Sequence, residues 1–218
     1  MWGGHRMGSI EHPTKTYDVI VEDPPWSYGA KTKARDSRYS TQLAGQHYDV
    51  IGVGDKEINR KTGAGIENIA AEAPVGSWSN KDSFLFLWAT NPKLPFAFTL
   101  MKMLGFNYKT TITWVKIRKD GEIDEGGQGW FFRGATEHCL LGTKGRAKIP
   151  AALRKANVFK ARRGEHSAKP DEFYSLIESV TPGMSRLDVF ARGQARVGWD
   201  VWGNEAQKAD NENEAGYE

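Results

Sequence analysis

The sequence predicts an α/β protein with a mostly parallel central sheet and helices on both faces of that sheet. Short runs of β-branched and aromatic residues alternate along the chain with helical segments, which is the pattern of this fold class. The clearest helix, 171–180, carries its apolar side chains at helical spacing and is followed by Pro182-Gly183. With 218 residues, of which 39% are hydrophobic and 26% charged, the chain can bury the core of one such domain.

The individual elements follow from the same patterns. Strands are expected at 17–22, 83–88, 108–115, 137–142 and 186–190, with a short final element at 199–203. Helices are expected at 92–104 and 171–180, and a weak one at 66–72, with Gly105 suited to the left-handed conformation after a helix. The regions 27–79 and 121–134 are long and Gly-rich, so we expect them to form loops that face the substrate.

The expected organisation is a single domain over residues 15–206, with flexible ends at 1–14 and 207–218, the latter acidic. Cys139 is the one cysteine and lies in an apolar run, so its expected role is core packing and no intramolecular disulfide can form. We find no apolar stretch of the roughly 20 residues that a membrane span needs and no signal peptide. A reducing cytoplasm is the expected location, without contact to a membrane.

Basic residues are concentrated in two places, although the net charge is only +3. The first place is the interval between Glu137 and Glu165, which has no acidic residue and eight basic ones, including Arg162 and Arg163. The second follows residue 30 and contains Lys31 and Lys33, together with Arg35 and Arg38. Two solvated loops are the simplest interpretation, but two clusters of one sign beside candidate site segments favour contact with the phosphates of a nucleic acid.

One motif supplies a candidate catalytic carboxylate. The motif Asp23-Pro24-Pro25-Trp26 follows the first predicted strand, and sheets of this kind bind ligands beyond the carboxyl ends of their strands. Proline has a fixed φ and no N–H donor, so its carbonyl group can be held towards a ligand that brings donors. Trp26 and Tyr28 offer flat faces on which a base can stack. These groups suit the amino group of adenine, whereas the alternative is a simple turn with Trp26 capping the core.

Several blocks in a fixed order carry a resemblance to a known family. They begin with Val21-Glu22-Asp23-Pro24-Pro25-Trp26 and end with Gly198-Trp199-Asp200-Val201-Trp202-Gly203-Asn204-Glu205. Between them lie the segments 84–90, 137–145, 167–172 and 190–192. Together these blocks resemble the MT-A (seventy) family of adenine-N(6) methyltransferases. The resemblance implies a Rossmann-like methyltransferase fold, S-adenosylmethionine as the methyl donor and the exocyclic amino group of adenine in nucleic acid as the acceptor.

The resemblance also implies a role for individual residues. The tetrapeptide Asp23-Pro24-Pro25-Trp26 forms the catalytic centre, in which Asp23 and the Pro24 carbonyl hold the target amino group near the methyl donor. Lys169 pairs with the carboxylate of the cofactor. The remaining cofactor contacts are expected from Arg192, Gln194, Asn204 and Glu205. The residues expected at the substrate are Trp26, Tyr28, Tyr39, Tyr48, Lys31, Lys33, Arg162 and Arg163. Tyr39 and Tyr48 compete for one position on the target base, and no metal ion is implied because no histidine has ligand spacing.

Other functions stay open at this point. Relatives without activity act as nucleic-acid-binding subunits, but those are expected to lose the carboxylate or the prolines, which this chain retains. An acceptor other than nucleic acid is less favoured, because such relatives tend to carry Asn in place of Asp23. The chain resembles prokaryotic and phage members with a bare catalytic domain, so we expect DNA rather than RNA as substrate. A homodimer or heterodimer through the 121–134 loop is a further expectation.

Overall fold

A computed structural model describes residues 11–26, 66–127, 129, 131–164, 168–191 and 195–203. Its strands form one seven-stranded sheet in the order β5-β3-β4-β2-β1-β6-β7. The strands are β1 Tyr17–Glu22, β2 Ser79–Ala89, β3 Asn107–Ile117, β4 Thr136–Lys144, β5 Val158–Arg162, β6 Arg186–Val189 and β7 Asp200–Trp202. All neighbouring strands are parallel except β4, which is antiparallel to both β2 and β3. The predicted fold class, a mostly parallel sheet, is confirmed.

Helices cover both faces of the sheet, as the sequence predicts. The helices are α1 Ile66–Glu72, α2 Leu94–Met103 and α3 Asp171–Val180. Side chains of α1 and α2 pack with one set of strand residues, such as Ile20 and Leu87, whereas α3 packs with the opposite set, such as Val21 and Phe86. The two cores follow from the alternation of side chains along each strand, because successive residues of β1 point to opposite faces.

The ends of β1 and β6 position the site. These strands are parallel and in register, with Glu22 opposite Val189, so their carboxyl ends lie at the same edge of the sheet. The predicted strand 186–190 is one residue too long, because Phe190 has a φ of 61° and leaves the strand. Gly203 lies against Phe190, and a Cβ added to Gly203 would be only 3.0 Å from the Phe190 Cα. The φ of Gly203, 149°, also favours glycine at this position.

Strand β5 is the element that the sequence analysis does not predict. Only Ala161 of its five residues is buried, and the others are charged or partly exposed, so the segment has no apolar run. It is nevertheless fixed at the edge of the sheet by pairing with β3, and the Trp114 indole N–H donates to the Ala161 carbonyl at 2.9 Å. Charged side chains on an edge strand oppose further strand addition, which explains this composition.

Other predictions about the core agree with the structure. Cys139 is fully buried, and burial raises the pKa of its thiol well above the usual range. Gly105 has a φ of 83° and follows Leu104, the C-cap residue of α2, as a helix end of this kind requires. Within the part of the chain that the structure describes, no helix is long and apolar enough to cross a membrane.

Candidate active site

Asp23 lies directly after β1, at the edge of the sheet where β1 and β6 end. Its backbone N–H donates to the Val189 carbonyl at 3.3 Å, which extends the strand pairing by one residue and fixes the direction of the side chain. The carboxylate is about a quarter exposed (26%) and lines a cavity of about 70 Å³. Asp23 therefore combines a fixed backbone with an accessible carboxylate, as a catalytic group needs.

Lys169 forms the closest contact of this carboxylate. Its ammonium group is 2.8 Å from Asp23 Oδ2 and 3.4 Å from Glu137 Oε2, and only 9% of the side chain is exposed. The ammonium also lies 5.1 Å from the centre of the Trp88 ring. Burial lowers the pKa of Lys169, but the charges of Asp23 and Glu137 outweigh it and raise the pKa above its ordinary value. Lys169 is therefore a permanently charged group at the cavity.

Glu137 joins Lys169 to a second lysine. Its other oxygen, Oε1, accepts from the Lys116 ammonium at 2.5 Å, and Lys116 is itself buried. Burial raises the pKa of Glu137, but the charges of Lys169 and Lys116 reverse this and hold the pKa below its usual value. Asp23, Glu137, Lys169 and Lys116 thus form a network of two anions and two cations without net charge, which limits the cost of burying them.

Pro24 and Trp26 fix the backbone after the catalytic carboxylate. The Trp26 backbone N–H donates to the Pro24 carbonyl at 2.7 Å, and a carbonyl oxygen has a second lone pair that can accept from a ligand. The Trp26 ring is buried (4% exposed) in the core, and its indole N–H donates to the Trp88 carbonyl at 2.9 Å. Trp26 therefore anchors the motif to β2, and its predicted contact with the target base stays a prediction.

Replacing Trp26 by phenylalanine should destabilise the protein more than the same change at Trp88. Both changes shrink a buried ring, but only Trp26 loses a hydrogen bond, because the Trp88 indole N–H has no acceptor among the described residues. We expect Trp26→Phe to lower the free energy of unfolding by about 1–2 kcal/mol more than Trp88→Phe. Urea unfolding of the two variants measures this difference. Equal or reversed losses would show that the Trp26 bond contributes nothing.

The cavity beside Asp23 adjoins an open groove. Lys169, Tyr174, Asp188 and Trp199 are among the side chains that line the cavity. The groove has a volume of about 450 Å³ and runs from Lys169 between β5 and the beginning of α3. Its lining includes the cations Lys160, Arg162, Arg163 and Arg196 and the acidic residues Asp171 and Glu172. A small cavity next to an open basic groove suits the charged end of a small ligand and a polyanionic substrate at neighbouring positions.

Comparison with known proteins identifies the family. The family model MT-A70 matches residues 17–205, which span β1 to the end of the last strand and include the whole site. The chain belongs to the MT-A70 family. The prediction of family and fold from the sequence is confirmed.

The relatives of this MT-A70 protein include bacterial and eukaryotic enzymes. A Type II methyltransferase, M.MunI, from a Mycoplasma species is 31% identical over 88% of this chain and 79% of its own length. The human N(6)-adenosine-methyltransferase catalytic subunit METTL3 is 31% identical over 57% of this chain and 22% of its own length. A methyltransferase from Arabidopsis thaliana described as MT-A70-like is 32% identical over 57% of this chain and 18% of its own length. This chain therefore spans about a fifth of the length of these eukaryotic relatives.

The structure brings together part of the predicted MT-A70 site. Asp23 and Lys169 line the cavity, and Arg162 and Arg163 line the groove. Pro24, Pro25 and Trp26 follow Asp23 along the chain, and Trp26 is buried in the core. Nine further predicted site residues lie outside the described residues: Tyr28, Lys31, Lys33, Tyr39, Tyr48, Arg192, Gln194, Asn204 and Glu205. Their predicted roles stay predictions. The described residues contain no group of three or more His, Cys, Asp or Glu side chains placed to hold a metal ion.

Three buried charged residues of the site are absent from the sequence prediction. Lys116, Glu137 and Asp188 lie within strands, and each is wholly or largely buried. A charged residue inside an apolar strand indicates a candidate site residue, because such a side chain is rarely buried without a partner or a ligand. The strand pattern alone does not give the face of the sheet on which each charge lies, and hence does not bring the three together.

Proposed function

We propose that this chain transfers a methyl group from S-adenosylmethionine to the N(6) amino group of adenine in DNA. The observation that carries the proposal is the position of Asp23, fixed after β1 and paired with Lys169 at a cavity beside a basic groove. The relative M.MunI, which matches 88% of the chain, is a Type II methyltransferase. Because this bacterial relative matches most of the chain, it supports a DNA substrate over an RNA substrate.

The residues around Asp23 suit activation of an exocyclic amino group. The lone pair of the adenine amino nitrogen is delocalised into the ring, so the nitrogen is a weak nucleophile. Hydrogen bonds from its two N–H groups to the Asp23 carboxylate and the Pro24 carbonyl would favour a pyramidal nitrogen and localise the lone pair. The negative charge of Asp23 also stabilises the positive charge that develops on the nitrogen as the new N–C bond forms. The nitrogen then loses one proton, for which the Asp23 carboxylate is the proposed acceptor.

The chemistry of the cavity lining suits the amino-acid end of the cofactor. Lys169 is a buried cation at the cavity and would bind the carboxylate of S-adenosylmethionine through an N–H that its two protein partners leave free. Arg192, Gln194, Asn204 and Glu205 are proposed to hold the adenosine part. S-adenosylmethionine supplies a methyl group on a positively charged sulfur, which leaves as a neutral thioether. Transfer of this kind needs positioning and electrostatics and no metal ion.

The groove is proposed to hold the backbone of the DNA strand that carries the target adenine. Arg163 is about half exposed, with Asp124 as its carboxylate partner at 3.5 Å, and Arg162 and Lys160 are also exposed. A base inside a duplex must leave the stack to reach a site of this depth. Phosphates bound along the groove would hold the strand on either side of the displaced nucleotide. Lys31 and Lys33, which follow the catalytic motif in the sequence, are proposed to contribute as well.

Neutralising Arg162 and Arg163 should weaken DNA binding in a salt-dependent way. Each cation that contacts a phosphate of duplex DNA contributes about 0.9 to the slope of log Kd against log salt concentration. We expect Arg162→Ala and Arg163→Ala each to lower this slope by about one contact. Lys148→Ala is the matched control, because Lys148 is exposed in the same basic segment but does not line the groove. An equal effect of all three changes would contradict a specific role for the groove.

The proposed function is tested by methylation of separate substrate pools. The purified protein is incubated with tritiated S-adenosylmethionine and with duplex DNA, single-stranded DNA or RNA. Label in a DNA pool supports the proposal, and label in RNA alone would overturn the choice of substrate. A protein that binds DNA but not the cofactor would instead be a binding subunit without activity, an alternative that the intact Asp23-Pro24-Pro25-Trp26 motif disfavours.

A further inference from the structure

The loop between β3 and β4 exposes two neighbouring phenylalanines. Phe131 is 96% exposed and Phe132 is 91% exposed, and neither ring belongs to either core of the protein. Burial of large apolar side chains is favourable, so a pair that stays fully in water indicates a surface that contacts a partner. Neither ring has a part in the proposed methyl transfer at Asp23.

Glycines bring the two legs of this loop together behind the rings. A Cβ added to Gly127 would collide with the Gly134 carbonyl, so the backbones of the two legs touch at this point. A Cβ added to Gly129 would likewise collide with the Phe132 carbonyl. Only glycine permits two backbones to approach so closely. The loop is therefore a narrow hairpin, and Phe131 and Phe132 lie at its tip.

The base of the same loop forms one side of the basic groove. Ile117, the last residue of β3, lines the groove and is bridged to Ile123 of the loop. Asp124 Oδ2 lies 3.5 Å from the Nε of Arg163, which also lines the groove. Phe131 follows Asp124 by seven residues, which span at most about 25 Å. Successive bases of a DNA strand are about 3.4 Å apart, so a strand that lies in the groove reaches the tip within about seven nucleotides.

The size of the exposed pair suits nucleobases better than a protein partner. Two phenylalanine side chains offer about 300–500 Å² of surface, whereas a stable protein interface buries about 800 Å² on each partner. The described neighbours Gly129 and Arg133 add no apolar side chain to the pair. A nucleobase needs only one flat ring for contact, because every base has a π-face that stacks on an aromatic side chain.

The charges of the loop favour contact with bases over contact with phosphates at the tip. The leg before the tip carries four acidic residues: Asp120, Glu122, Asp124 and Glu125. Like charges repel, so this leg keeps the phosphates of a DNA strand in the basic groove. Arg133 follows the two rings, and its guanidinium donates to the Glu125 carbonyl at 3.3 Å. The rings themselves carry no charge and offer only their faces and edges.

We propose that Phe131 and Phe132 form a stacking site for unpaired bases of the DNA strand whose phosphates lie in the groove. This inference rests on the proposed function and adds a second contact surface for its substrate. A target adenine that leaves a duplex no longer stacks on its neighbours, and contact with the two rings offsets part of that loss. Stacking is tolerant of sequence, so the site should raise the affinity for unpaired DNA of any sequence.

Binding of two single-stranded probes tests the stacking site without methylation. One probe is an oligodeoxyadenylate, and the other is an abasic strand of the same length, which keeps the phosphates and lacks the bases. We expect Phe131→Ala and Phe132→Ala each to weaken oligodeoxyadenylate binding about 5-fold or more and to leave the abasic strand unchanged. The slope of log Kd against log salt concentration should stay the same, because no phosphate contact is lost.

Three further variants make the test specific. Phe131→Tyr keeps an aromatic face and should bind oligodeoxyadenylate as the unchanged protein does. Phe131→Leu keeps an apolar side chain without that face and should lose as much affinity as Phe131→Ala. Tyr108→Ala removes a partly exposed ring at the opposite end of β3 and should alter the binding of neither probe. Urea unfolding should show unchanged stability for the variants of the fully exposed Phe131 and Phe132.

The outcomes separate this inference from the proposed function. Equal losses for the two probes, or a Phe131→Leu protein that binds like the unchanged one, would overturn the inference alone. Sedimentation that shows a dimer of the unchanged protein and a monomer of Phe131→Ala, with oligodeoxyadenylate binding intact, would assign the rings to contact between two copies and also overturn it. An unchanged protein that binds neither probe would overturn the DNA groove of the proposed function, and the inference with it.

Discussion

Replacing Asp23 by asparagine is expected to slow methyl transfer about 10³-fold while the protein remains folded. Asparagine has the same size and keeps one acceptor oxygen, but it has no charge to stabilise the developing positive charge on the target nitrogen. Lys169 retains Glu137 as a partner, so the change does not leave a buried cation alone. Single-turnover rates with saturating cofactor and DNA measure this effect directly.

Two companion variants sharpen the result for Asp23. Asp23→Glu keeps the charge but moves it by one methylene, so it should recover only part of the rate. Asp120→Asn changes an exposed carboxylate of the β3–β4 loop and should leave the rate as it is. An Asp23→Asn protein that methylates within a few-fold of the unchanged enzyme would show that the negative charge of Asp23 is not needed for the chemistry. Such a result would mean that an acceptor oxygen at this position is sufficient.

Replacing Glu22 by glutamine is expected to stabilise the protein at alkaline pH. Glu22 is completely buried, and neither carboxylate oxygen has a hydrogen-bond partner among the described residues. Burial, and to a lesser degree the charge of Asp23, raises the pKa of Glu22 from 4.5 to about 8. Because the folded-state pKa is raised, the unfolded chain ionises first, and stability falls as the pH rises between 4.5 and 8. Glutamine keeps the shape and cannot ionise.

The expected size of the Glu22 effect is large. A shift from 4.5 to about 8 corresponds to a cost of about 5 kcal/mol above pH 8 and to almost none below pH 4.5. Urea unfolding of the Glu22→Gln and unchanged proteins between pH 4.5 and 9 measures this difference, with the exposed Glu122→Gln as control. If the stability difference between the Glu22→Gln and unchanged proteins were the same across this range, Glu22 would ionise normally in the folded state.

Much of the fold follows from the sequence because its strongest signals are local. The β-branched run before Asp23, the apolar periodicity of α3 and the glycine after α2 each specify their element without reference to the rest of the chain. The sequence does not predict strand β5, because the position of β5 depends on its pairing with β3. A prediction would need an apolar run, and β5 has only one buried residue. Edge strands of this composition carry no local signal.

Only part of the site can be predicted from the sequence, because the rest depends on pairing between strands and not on local signals. The motif after β1 predicts Asp23 and the family resemblance implies Lys169, and the structure places their charged groups 2.8 Å apart. Glu137 and Lys116 come from β4 and β3, which are antiparallel neighbours, and their proximity depends on a register that a single sequence does not contain. Asp188 has the same dependence, because only the parallel pairing of β1 and β6 brings its strand beside Asp23.

The central claim is tested most directly by the chemical identity of the methylated base. DNA methylated with cofactor that carries a deuterated methyl group is digested to nucleosides, and the products are separated and identified by mass spectrometry. The account predicts label in N(6)-methyldeoxyadenosine, and no such label from the Asp23→Asn protein. Label in a methylated cytosine, or in N(6)-methyldeoxyadenosine from both proteins alike, would contradict it.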